Sequence, residues 1–310
     1  MKYSLILAAT GLVASVSAHG VVTKVVGANG VEMPGLSVAD GTPRDCSSNG
    51  CGSQADTSII RDSDISSGKT GPLGKTQGNG PVDAATMINS FMGAGSAPTN
   101  NGTGTGVEDD IPANVGGKAT KATKANKVRS AKFRSRQLLG GLLGGGGGGS
   151  NAKGVKSTTP QETMVKATAG MGATMGLPTA SDDGMVELQF RQINQDGAGP
   201  LEAMVDGTSG GTDMAAFKEA DVMQNVPGLV AGISTATNTD FAVKVAMPQG
   251  MTCDATVGDA QNVCVVRVRN STPAGPFGGS AAFTQTTAAR KRAIAYRLKK
   301  RAEEAAAAAH

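Results

Sequence analysis

The chain has 310 residues, with 45 glycines, 3% aromatics and no tryptophan, so its core must come from Val, Leu, Ile, Met and a few Phe. That composition fits a loop-rich β protein better than a helical bundle. The net charge of +4 divides sharply: residues 116–156 hold ten Lys/Arg and no acid, residues 290–310 hold seven Lys/Arg and two Glu, and the rest beyond Lys2 holds 11 basic and 23 acidic residues, a net of −12; an acidic body without interleaved aromatics excludes a nucleic-acid-binding surface.

The opening MKYSLILAATGLVASVSAHG carries a positive Lys2, an apolar stretch over residues 5–16, and Val16-Ser17-Ala18 where a signal peptidase reads small residues. These are the three parts of a secretory signal, residues 1–18, and its removal leaves His19 first. The apolar stretch is too short to anchor the chain, and no later segment is long and apolar enough to span a bilayer. The expectation is a secreted, extracellular protein with no membrane anchor.

GVVTKVV, from Gly20, is β-prone, and a turn-rich stretch follows it. PVDAATMINSFMG predicts a helix, with Pro81 in its first turn, Asp83 at its positive end and Gly93 at its exit. Residues 116–156 are basic, of low complexity and include six consecutive glycines. They read as a disordered insert, because they cannot bury enough apolar surface to offset ordering entropy; Arg134 and Arg136 within it are protease targets. Strands follow at MVELQFRQI, with Val186, Leu188 and Phe190 on one face, at DFAVKVAMP, with Phe241, Val243, Val245 and Met247, and at NVCVVRVRN, with Cys264, Val266 and Val268. TDMAAFKEA reads as a short helix starting near Thr212 or Asp213. Residues 290–310 form a basic helix or a disordered tail, whose clusters Arg290-Lys291-Arg292 and Lys299-Lys300-Arg301 suit dibasic proteases. Residues 19–289 are thus expected to form a single β-rich domain: an immunoglobulin-like β-sandwich with one or two short helices and long loops.

The four cysteines form two local pairs. Along an oxidising secretory path, Cys46–Cys51 and Cys253–Cys264 are the favoured disulfides because neighbours close small loops; the crossed connectivities stay open. Sequons begin at Asn101 and Asn270 in polar, turn-like surroundings, making both glycosylation candidates.

Several strings in order carry a family resemblance: HGVVTKVVGANGVEMPGLSVADGTPRDC, SNGCGSQADTSIIRD, GNGPVDAATMINSFMG, GTGVEDD, NQDGAGPLEAMVDGTSGGTD, MPQGMTCDATVG, NVCVVRVRN and AGPFGGSAAFTQ. Across nearly all of residues 19–289, apart from the insert, they resemble the fungal appressorium-associated secreted virulence factors, of MAS or Egh type. The resemblance implies secretion by a filamentous fungus during infection-structure formation and a role in penetrating a host surface. It implies no settled biochemical activity.

His19 is the sharpest chemical feature. An N-terminal histidine offers its amino group and imidazole to one metal, half of the copper histidine brace of lytic polysaccharide monooxygenases, which also sit on β-sandwiches. The second histidine that a brace needs is missing from the body, since the other one is His310, and both tyrosines, Tyr3 and Tyr296, lie in the leader and the tail. A weaker site would pair His19 with Asp40 or Asp45. The acids Glu108-Asp109-Asp110 and Asp182-Asp183 read as solvated turns and caps, and a glycosidase would need two carboxylates across a cleft. A hydrolytic triad lacks its base. The main expectation is therefore a non-catalytic protein at the fungus–host surface that needs no cofactor, with a host surface or cell-wall polysaccharide as partner. The alternative is a divergent copper-dependent polysaccharide oxidase that uses His19.

Overall fold

The computed structural model describes residues 19–102, 150–151, 153–229 and 232–308. The leader, Glu108-Asp109-Asp110, Arg134, Arg136 and His310 lie outside them. In the first part of the chain come β1 (Gly20–Val26), β2 (Glu32–Pro34), β3 (Ser58–Ile59), α1 (Asp62–Ser66), β4 (Lys75–Thr76), β5 (Gly80–Pro81) and α2 (Ala84–Met92). The middle holds β6 (Ser150–Asn151), β7 (Val155–Lys156), α3 (Met164–Thr168) and α4 (Gly172–Met175). Then follow β8 (Met185–Gln192), β9 (Glu202–Asp206), β10 (Phe217–Asn225), β11 (Thr239–Ala246), β12 (Ala255–Val257), β13 (Ala260–Arg269), β14 (Phe277–Phe283) and α5 (Thr287–Ala308).

The mainly β expectation holds: eleven of the strands join in one path, β2-β1-β8-β11-β10-β9-β13-β14-β3-β4-β5, with β12 on β13, β6 on β10 and β7 on β11. β10 turns the corner between two layers. Its first half, Phe217 to Ala220, pairs with β9, and Asp221 onward pairs with β11, with a register shift between Val222 and Gln224. Such a bulge bends a strand and lets it serve two sheets. On the inner face of one layer Phe241 lies opposite Phe190, Val243 opposite Leu188 and Val245 opposite Val186. On the other, Val266 lies between Val205 and Ala281, and Val268 between Ala203 and Gly279. These side chains are buried in one core that draws on residues from both sides of the 103–149 segment. The layers approach closely at Gly279, where a Cβ would stand 2.7 Å from the Val22 backbone nitrogen.

β13 is buried on both faces over Val263–Val268, and α2 lies against it. Val263 and Val265 are therefore core residues alongside Cys264, Val266 and Val268. α2 forms where the sequence predicts a helix. The Asp83 carboxylate accepts from the Ala85 N–H at 3.1 Å, and Gly93 closes the helix with φ 85°. Pro81 is not in its first turn but pairs with Lys75 in the β4–β5 ladder.

Three further expectations are corrected. TDMAAFKEA is not a helix: Asp213 caps only a single 3₁₀ turn, Met214–Ala216, and Phe217 then starts β10. The Phe217 ring lies under the buried Arg267 guanidinium, 5.1 Å away, so tertiary packing overrides local helix preference. The insert does not extend to residue 156, because β6 pairs with β10 and β7 with β11. Among the described residues there are also five α-helices rather than one or two, and the basic tail takes the helical of its two expected forms as the longest of them, α5.

An ion cluster ties the two parts of the sequence together. Arg44, 1% exposed, donates from Nη1 and Nη2 to the Asp56 carboxylate at 2.9 and 2.5 Å and from Nε to Glu162 at 3.0 Å. Burial pushes the Glu162 carboxyl up, but the Arg44 charge and the Met164 and Thr163 N–H donors outweigh it and hold the carboxyl below its usual range.

Candidate functional site

β1 begins at its pairing with the end of β8, and this puts His19 beside the loop after β8. The Ile193 N–H donates to the His19 carbonyl at 2.9 Å, and the His19 nitrogen donates to Asn194 Oδ1 at 2.6 Å. The loop comes this close because Gly197 has no side chain: a Cβ there would stand 1.9 Å from the His19 oxygen. The imidazole lies against Phe277, ring centroids 4.4 Å apart, and His19 is only 3% exposed. The sequence suggested a displayed chelating terminus, whereas the fold packs this ring into the end of the sandwich. The carboxylates suggested as its partners go elsewhere. Asp40 accepts from the Val165 and Lys166 N–H groups at 3.0 and 2.7 Å at the start of α3, and Asp45 is exposed. Among the described residues no group of three His, Cys, Asp or Glu is placed to hold a metal ion.

The same end of the sandwich holds Asn270, and here the surface expectation fails. Its amide donates to the Asp196 and Ala198 carbonyls at 3.2 Å each, its oxygen accepts from Phe277 and Thr272, and it is 1% exposed. The folded chain leaves no room for a glycan on that nitrogen. Asn101 is exposed. Asp196 is 3% exposed, its Oδ2 has no hydrogen-bond partner, and burial raises its carboxyl above the usual range. Asp206, also buried, is the opposite case: burial pushes it up, but the Ser209 hydroxyl and the N–H groups of Ser209, Thr208 and Gly211 outweigh that and hold it low.

Both local disulfides form, Cys46–Cys51 and Cys253–Cys264. The second lies beside the docking site of α5. Cys253 gives its N–H to the Gln285 side chain at 3.0 Å, and its carbonyl accepts from Arg290 at 2.6 Å. Arg290 also reaches Asp254 at 2.6 Å. At the start of the helix the Thr286 hydroxyl accepts from the Ala289 N–H and donates to Asp182 at 2.6 Å. Ala289 and Ala293 are buried, and Tyr296 lies on Gly250, whose φ of 80° and missing side chain make room: a Cβ would stand 3.0 Å from Tyr296 Cδ1.

Two hollows flank Tyr296. One, of about 310 Å³, is bordered by Asp182, Asp183, Arg292 and Gln285. The other, of about 560 Å³, is bordered by Lys218, Arg297, Lys300, Thr208, Thr252 and Asp254. Burial pushes the Asp254 carboxyl up, but the Thr252 hydroxyl and Arg290 outweigh this and keep it charged. Treating residues 290–310 as a tail hid this groove from sequence reasoning. The available signal was Ala289, Ala293 and Tyr296, a small-residue stripe at helical spacing that ends on an aromatic.

Among the described residues, no helix is long and apolar enough to cross a membrane. No solved structure is significantly similar to this chain. The chain is 50% identical over 303 residues to "Appressoria-specific virulence factor GAS2" of Pyricularia oryzae (strain 70-15), covering 97% of this chain and 95% of the relative. It is 34% identical over 128 residues to "Appressoria-specific virulence factor GAS1" of the same organism, 40% of this chain and 50% of that relative. The model of the Egh16-like virulence factors matches residues 17–278, from just before His19 to the start of β14, and the chain belongs to that family.

Proposed function

We propose that this protein is secreted and acts as an appressorial virulence factor by binding at the surface where fungus and host meet, without catalysing a reaction. The observation that carries the reading is the near end-to-end similarity to a relative named for appressoria and virulence. The leader-like first 18 residues and two disulfides, which suit an oxidising compartment, support the secreted address. The binding role draws support from how the polar groups are used. The His19 ring is packed on Phe277, Asp56 is held by Arg44, Asp206 is wrapped by its own loop, and Asp40 caps α3.

The test is a gene deletion complemented in the producing fungus with the wild-type gene, a leaderless gene starting at His19, and His19→Ala. Secretion is followed by immunoblot and penetration on host tissue. Wild type and His19→Ala should restore penetration, and the leaderless form should not. Rescue by the leaderless form would overturn secretion as the site of action. Loss of rescue by a secreted, folded His19→Ala protein would overturn the non-catalytic reading.

A further inference from the structure

We propose that the larger hollow beside α5 binds an acidic oligosaccharide, a chain of sugars bearing carboxylates. This deepens the surface-binding reading above and rests on it.

Three observations point to that ligand class. The first is charge. Lys218 from β10 and Arg297 and Lys300 from α5 border one hollow of about 560 Å³. Its single acid, Asp254, is already paired with Arg290. The hollow is thus a cationic spot where the basic helix meets a body of net charge −12. Such a spot selects anions, and a guanidinium matches the geometry of a carboxylate. The cations are also available. Lys300 is 61% exposed and makes a loose 3.9 Å ion contact with Glu304, while Lys218 makes a long 3.4 Å bond to the Ala215 carbonyl.

The second is an aromatic platform. Tyr296 is the one tyrosine among the described residues and is 41% exposed. Its ring is held against the bare backbone of Gly250, which fixes a flat face between the two hollows. A pinned ring with a polar edge stacks the apolar face of a pyranose and hydrogen-bonds its hydroxyls. The third is length. The smaller hollow continues past Tyr296 and offers Arg292, Gln249 and Gln285, while its two acids, Asp182 and Asp183, accept from the Thr286 and Ser181 hydroxyls, so a chain of several sugars could run across the ring with its carboxylates on the larger hollow. The size falls within the ordinary range of ligand sites.

The test uses the secreted, disulfide-intact full chain. Isothermal titration is run with a uronic-acid hexamer, its methyl ester, a neutral glucan hexamer and a linear polyphosphate. The free acid should bind, and the ester and the glucan should bind at least about tenfold more weakly. Arg297→Ala/Lys300→Ala should weaken binding by about tenfold or more, and Tyr296→Ala should weaken it at every salt concentration, while Tyr296→Phe largely preserves it. Circular dichroism and urea midpoints confirm that the variants fold, and Lys218→Ala, on a strand, tests the cations independently of helix docking. Equal binding of acid and ester, or binding indifferent to Lys218, Arg297 and Lys300, overturns the proposal. Equal binding of polyphosphate overturns the sugar part of it. Secretion and penetration are scored separately: a variant that loses uronate binding yet restores penetration defeats the groove's role and leaves the surface reading standing.

Discussion

Replacing Arg44 with methionine tests what joins the two halves of the sequence. Arg44 spends three nitrogens on two carboxylates: two bonds to Asp56, at 2.9 and 2.5 Å, and one to Glu162 at 3.0 Å. Methionine keeps much of the stem volume and removes the charge. Asp56, fully buried, would be left with the Ala39 N–H at 3.2 Å as its remaining donor in the cluster. Glu162 would fare better, since Thr163 and Met164 still donate to it at 3.2 and 3.1 Å. Most of the cost therefore comes from the abandoned Asp56 charge, and breaking such a pair costs about 3–5 kcal/mol. That is a large share of the ~5–15 kcal/mol that holds a domain folded. The assay is urea unfolding of the oxidised protein at pH 7, where the midpoint should fall by about 1–2 M with the slope unchanged. The acid limb gives a second readout. Arg44 helps hold the Glu162 carboxyl low, so the stability that Glu162 contributes is present above its unfolded pKa and is lost only as pH falls through the lowered one. In R44M that loss should begin at a higher pH. A midpoint within about 0.3 M of wild type at pH 7, with an unmoved acid limb, would refute the argument.

Asp196 should behave with the opposite sign. Burial raises its carboxyl, so its favourable contribution exists below the unfolded pKa and is lost as pH rises through the folded one. Asp196→Asn should raise the urea midpoint at pH 7 and leave it unchanged near pH 3; no gain at neutral pH would contradict the burial cost. Removing Cys253–Cys264, which spans 11 residues and is buried, should cost about 3 kcal/mol and loosen α5, detected as faster amide exchange around Ala293. Removing Cys46–Cys51, which closes a smaller loop, should cost less, so a reversed ranking would count against the role given to the Cys253 anchor. Gly279→Ala should cost about 1–3 kcal/mol, because the new methyl meets the Val22 backbone rather than a movable side chain; a neutral effect in thermal unfolding would show that the layers can part there.

Much of the β framework was legible because alternation survives in the strands. Val186, Leu188 and Phe190 read as one face of β8, and they pair across to Val245, Val243 and Phe241 as that period requires. Asp83 and Gly93 likewise announced α2 through local backbone chemistry. Phe217 was not legible. Its segment carries helical spacing, and the partners that make it a strand, β9 and the Arg267 guanidinium, are remote in sequence. The candidate site divides the same way. His19 stood out by residue type and position, but its burial depends on Gly197 and Phe277, which no local pattern connects to it.

By itself, the sequence determined the β-rich class, the leader-like start and the family, and it favoured the local cysteine pairs, because each rests on neighbouring residues or on order along the chain. Only the tertiary structure decided that Asn270 is interior, that Asp40 serves α3, and that a basic tail docks beside Cys253 to frame a cationic groove. Those outcomes depend on which surfaces lose water to one another. Burial of that kind is a property of packed elements and cannot be read from any single stretch of chain.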